Sequence, residues 1–222
     1  MYLDLPTLIW FMTLTSFTLG AAVLVVGWRS RAGDGLTAWG SSVAIQGLSY
    51  PLFEIRFHDW LGLSIVTTNV ATSASVALSI LALSQFQRSQ RPPPANWVIW
   101  LPVLVCGIVA GFTVDHHEVR NELIALVISA QALLLVRLAA HPISSGRRER
   151  SRSLLVAGSV AMLLLLLLRV MMIVRHEEWI DENIGVPIGL QSYSYVFALM
   201  ILIFNTVGFL LMHKDRALEI QR

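Results

Sequence analysis

The chain has 222 residues, of which 55% are hydrophobic and 14% charged, with a formal net charge of +2 and a mean hydropathy of +0.67. These proportions leave little material for a water-soluble domain, and no basic surface for nucleic acid is apparent. A single cysteine excludes an intrachain disulfide.

Seven apolar runs follow one another, each close to the roughly 20 residues that cross a hydrocarbon core of about 30 Å. The first, Leu5 to Trp28, starts after Asp4 and at Pro6. It has no basic segment before it and no small-residue cleavage site after it, so it is expected to stay as a helix. Asp34 and Gly35 precede the second, Leu36 to Phe57, and the third runs from Leu63 to Gln85. Pro92 to Pro94 and Asn96 punctuate the start of the fourth, Trp97 to Thr113, which is the shortest and contains Pro102. The fifth, Glu122 to Ala140, is closed by His141 and Pro142; the sixth is Ser153 to Arg175 and the seventh Gln191 to Met212. The fold class implied is all-α, a seven-transmembrane helix bundle. Residues 1–212 form the membrane domain, and 213–222 are a charged, helix-forming tail.

Charge alternates between the connecting loops. Arg29, Arg31, Arg88, Arg91, Arg147, Arg148, Arg150, Arg152, Lys214, Arg216 and Arg222 fall on one side. Asp59, Asp115, Glu118, Glu177, Glu178, Asp181 and Glu182 fall on the other, with Arg56, Arg120 and Arg175 as exceptions. Basic short loops are retained in the cytoplasm, so the N-terminus is expected outside and the C-terminus cytoplasmic. The Arg-rich loop from Pro142 to Arg152 serves as a topology signal or meets anionic lipid headgroups.

An ionisable side chain inside a bilayer costs about 2.5 to 3.5 kcal/mol even on the lenient insertion scale, so each one calls for a reason. Arg169 lies in the sixth run, roughly 7 to 8 Å outward of its middle. Its stem can snorkel outward, or its guanidinium can serve a site. Gln46, Tyr50 and Glu54 recur at i, i+4 and i+8 on the second run, making one polar stripe, with Pro51 inside it as a kink signal. Asn69 with Ser73 on the third run, and Gln191 with Tyr195 on the seventh, repeat the pattern. This layer can satisfy itself as interhelical glue or line a ligand pocket in the outer half. The pocket candidates are Arg169, Glu54, Tyr50, Gln46, Asn69, Gln191 and Tyr195. A second constellation, His58, His116, His117 and His176 with neighbouring carboxylates, could hold zinc or copper or sense pH, or could be solvated surface; no spacing among them is diagnostic.

Several activities lack their chemistry. The only lysine, Lys214, lies beyond the last run, so a retinal Schiff base has no partner, and no histidine pair within the runs could hold haem. A seven-span zinc hydrolase would want histidines at helical spacing in late runs, where only His213 is found. A transporter or channel would need a path polar through its full depth. Inward of Gln131, near the middle, only Ser79 and Asn205 are obvious candidates. No cofactor is called for.

Trp39-Gly40 at the start of the second run, Arg169 late in the sixth, the seven-run pattern and the closing phrase MHKDRALEIQR resemble the N-terminal membrane sensor region of bacterial GGDEF diguanylate cyclases. The resemblance implies a multi-pass protein of the bacterial inner membrane that works as a homodimer; the polar layer adds the expectation of a small anionic or amphiphilic ligand, with Arg169 holding its acidic group and Glu54 positioning that arginine when the site is empty. The resemblance also implies a non-catalytic input domain whose last helix leads to a cytoplasmic GGDEF output domain; no GGDEF sequence occurs in these 222 residues.

Overall fold

The computed structural model describes residues 5–29, 34–54, 61–88, 92–141, 148–174 and 188–220. These residues form seven α-helices, and there is no strand among them. They are α1 (Leu5–Trp28), α2 (Leu36–Glu54), α3 (Leu61–Phe86), α4 (Asn96–Phe112), α5 (His117–Ala139), α6 (Arg148–Val174) and α7 (Ile188–Ile220). The apolar cores fall where hydropathy places them. α5 and α6 begin about a turn earlier, because polar and charged helical turns carry no hydropathy signal, while α7 starts at Ile188 and runs on through the expected helix-forming tail to Ile220.

Among the described residues, five helices are long and apolar enough to cross a membrane. α4 is shorter, at 17 residues, and α2 carries Ser41, Ser42, Gln46 and Ser49 among its apolar positions. The distribution of exposed side chains is that of a membrane protein. Trp10, Phe11 and Leu14 on α1, and Trp97, Leu104, Ile108 and Phe112 on α4, all face outward and exposed. In water such continuous apolar faces would drive association; in lipid they are the normal surface.

Neighbour relations define a ring. α1 packs on α2, α2 on α3, α3 on α5, α5 on α6, α6 on α7 and α7 back on α1, while α4 sits outside in the groove between α3 and α5. Leu5 and Ile220 mark opposite ends of this bundle. Small residues bring the first two helices close. A Cβ added at Gly20 would come within 2.9 Å of the Ala44 nitrogen, and one at Gly40 within 2.9 Å of the Leu24 nitrogen. Since lipid offers no hydrophobic drive between helices, this close backbone approach is a main source of their affinity. Gly40→Leu is therefore expected to push α2 off α1 and destabilise the bundle by about 1 to 3 kcal/mol. Thermal unfolding in detergent, with the conservative Gly40→Ala as the milder step, checks this.

The connection into α2 is a tight turn. Gly35 has φ +89°, and Asp34 Oδ1 accepts the Leu36 backbone N–H at 3.0 Å, capping the helix. Any side chain at Gly35 would also run into the Ala82 carbonyl of α3. The largest buried cluster gathers Trp39, Val43, Val76, Ile80, Leu83, Phe86, Ile128, Leu135, Leu138, Leu155, Phe209 and Met212, toward the Ile220 end.

Candidate functional site

A cavity of about 280 Å³ lies inside the ring, between α2, α3, α5, α6 and α7. Its length follows from the helices that line it. Lining residues run from Ser194 to Asn205 on α7 and from Thr68 to Ser79 on α3, about 16 Å of helix in each case.

Two residues of the expected stripe on α2 meet in the structure: Gln46 Nε2 donates to the Tyr50 hydroxyl at 3.2 Å, and both side chains line the cavity. Tyr195 meets Tyr50 edge to face, with centroids 6.2 Å apart and planes at 85°. Asn69 also lines the cavity, while its Nδ2 donates to Ile65 O of its own helix at 2.8 Å. Four of the seven candidates, Gln46, Tyr50, Asn69 and Tyr195, thus converge on one space. The side chains of Glu54, Arg169 and Gln191 lie outside the described residues, although their backbones belong to α2, α6 and α7. By helical register each stands toward the Leu5 end: Glu54 is one turn past Tyr50, Arg169 one turn past Leu165 and Leu166, and Gln191 one turn before Tyr195.

Ser73 does not join Asn69. Its Oγ donates to Gln131 Oε1 at 2.9 Å and Gln131 Nε2 returns a bond to Ser73 O at 3.2 Å, so the pair closes on itself between α3 and α5. What the sequence reading passed over is that Thr68, Thr72 and Ser75 join Ser79 in one row on α3, all of which face the cavity. Its spacing of i, i+4, i+7 and i+11 is a helical stripe and could have been found that way. Ser75 Oγ donates to Gln46 Oε1 at 2.5 Å, and Ser42 Oγ lies 2.7 Å from Ser79 Oγ and 2.6 Å from Ser75 O. One hydrogen-bonded chain therefore runs along the α2 and α3 wall, from Ser79 through Ser42, Ser75 and Gln46 to Tyr50.

The opposite wall is hydrocarbon. Ile124, Ala125, Ile128 and Leu135 of α5 and Met162, Leu165 and Leu166 of α6 line it, with Asn121 the one polar side chain from these two helices among the described residues. At the Ile220 end the cavity stops on Trp39. That indole stacks on Phe209 at 4.3 Å with planes 7° apart and donates Nε1 to Thr206 Oγ1 at 3.2 Å. Phe209 meets Phe86 at 5.8 Å, and Arg216 places its guanidinium 5.2 Å above the Phe86 ring while donating Nη1 to Phe86 O at 2.8 Å. A contiguous series of contacts thus leads from the cavity floor to the last turns of α7. Two further contacts hold those turns. Ser151 Oγ donates to Asp215 Oδ2 at 2.6 Å, and His213 Nε2 stands 3.3 Å from Asp34 Oδ2 without hydrogen-bond alignment.

Of the histidine constellation, His116 is exposed just before α5. The side chain of His117 and the whole of His58 and His176 lie outside the described residues. No group of three or more His, Cys, Asp or Glu gathers among the described residues. No protein-family model, no curated protein and no solved structure matches the chain.

Proposed function

We propose that this chain is a seven-span, non-catalytic input domain of a bacterial inner-membrane signalling protein, with its N-terminus outside and its C-terminus in the cytoplasm. A small anionic or amphiphilic molecule occupies the cavity, reaching it from the outer leaflet or periplasm. Gln46, Tyr50, Asn69 and Tyr195 contact it, while Arg169, Glu54 and Gln191 form the outer mouth. α7 passes the state of the cavity to a cytoplasmic output domain, a diguanylate cyclase by resemblance, across a homodimer in which the two tails run side by side.

The observation that carries this reading is the continuity of α7. One unbroken helix of 33 residues lines the cavity from Ser194 to Asn205 and is then gripped at Arg216 and Asp215 by α3 and α6. At about 50 Å it exceeds the roughly 30 Å hydrocarbon core, so the same rigid rod reports on both levels. A ligand can shift such a rod only through different affinity for two states. The aromatic floor of Trp39, Phe209 and Phe86 favours a closed pocket over a transport path, even though the cavity reaches inward to Ser79 and Asn205.

Arg169 and Glu54 test the outer mouth. In the chain joined to a cyclase output, Glu54→Gln is expected to change basal cyclic di-GMP synthesis without any added ligand. Arg169→Met should do the same, and Arg169→Lys should restore it only in part, because the ammonium lacks the planar fork. Wild-type output from all three would remove Arg169 and Glu54 from the mechanism.

A further inference from the structure

We propose that the cavity is built for an uncharged, elongated amphiphile, whose hydroxyl or carbonyl groups lie along α2 and α3 and whose hydrocarbon face lies against α5 and α6. This rests on the sensor reading and narrows its ligand. Among the described residues lining the cavity there is no Asp, Glu, Lys, Arg or His. An ion entering it would exchange its hydration for neutral hydroxyls and hydrocarbon with no countercharge from those groups, which is the unfavourable way to bury a charge. A pure hydrocarbon would fare little better, because it would strand the polar wall.

That wall keeps hydrogen-bonding capacity in reserve. The Tyr50 hydroxyl accepts from Gln46 and so retains its own proton to donate. Thr68 Oγ1 is buried without a partner on the same cavity. Asn205, 7% exposed, also lines the cavity with its Oδ1 buried and unpartnered, lodged where α6 has Gly158; a Cβ on that glycine would stand 2.2 Å from this oxygen. With Oδ1 directed at α6, the planar amide turns Nδ2 away from that helix. Buried polar atoms without partners are uncommon, and Thr68 Oγ1 asks for an occupant of the cavity. Tyr50 lies toward the Leu5 end, beside Tyr195, with Thr68 on the same cavity, and Asn205 is about 15 Å beyond Tyr195 along α7. Polar groups so far apart, joined by one polar wall and faced by one apolar wall, fit a long molecule better than a compact one.

The test uses the full chain in lipid nanodiscs and three photoreactive probes that share a ten-carbon chain and a diazirine: the alcohol, the carboxylate and the alkane. Cross-links are mapped by mass spectrometry. The alcohol should label α5 and α6 peptides containing Ile128 and Leu165 about ten-fold more than the carboxylate. Tyr50→Phe together with Thr68→Val should lower that labelling about three- to ten-fold. Equal or stronger labelling by the carboxylate overturns the uncharged class yet leaves the cavity as a ligand site. Labelling by the alkane as strong as by the alcohol overturns the role of the polar wall. If no probe labels these peptides above the lipid-facing surface of α4, both this inference and the sensor reading beneath it fail. The comparison of probes on the unaltered chain stands even where the double variant does not fold.

Discussion

Inserting one alanine after Arg216, in the chain joined to its output domain, is expected to change that output severalfold and to make it insensitive to ligand; inserting seven should largely restore it. One residue rotates everything downstream by about 100°, whereas seven return nearly to the coiled-coil phase. The basis is that α7 is still helical at Ile220, past the contacts of Asp215 and Arg216 with α6 and α3. An insertion after Arg216 therefore leaves the clamp intact and alters only the register of the helix downstream of it. Cyclic di-GMP synthesis in purified membranes is the readout. Indifference to both insertions would make the tail a tether and place the switch elsewhere.

The second large effect is expected at Trp39. This residue is both the floor of the cavity and, through Phe209, the start of the contact series to the tail. Trp39→Leu removes the stack and the hydrogen bond to Thr206, and should destabilise the bundle by about 2 to 4 kcal/mol. Its diagnostic effect is on coupling. Probe labelling at Ile128 should persist, because the polar and apolar walls remain, while output loses its response. Phe209→Leu should behave alike, since it breaks the same contact from the other side. Labelling lost together with response would instead mean that Trp39 only shapes the pocket.

These expectations show which features a sequence exposes. The helix cores were legible because hydrocarbon demands long apolar segments with every backbone group bonded within the helix. The contact of Gln46 with Tyr50 was legible because both lie on one helix at a spacing that fixes their proximity. Contacts between distant helices were not. Trp39 meets Thr206 across 167 residues of chain, and nothing in the local pattern of either names the other. Ser73 shows the complementary failure. It shares a helix face with Asn69, but a partner on α5, Gln131, draws it out of the cavity row. Helical register says which residues are adjacent on one rod; the ring of neighbours decides which of them face the same space.

The central claim is that the space between the α2–α3 wall and the α5–α6 wall is a ligand site. Experimental density for the chain purified gently from its native membrane tests it most directly. The account predicts continuous non-protein density between Tyr50, Thr68 and Ile128, extending toward Asn205 and bounded by Trp39. A cavity closed by its own side chains, with Tyr50 and Thr68 bonded to protein and no room left between the walls, would contradict it.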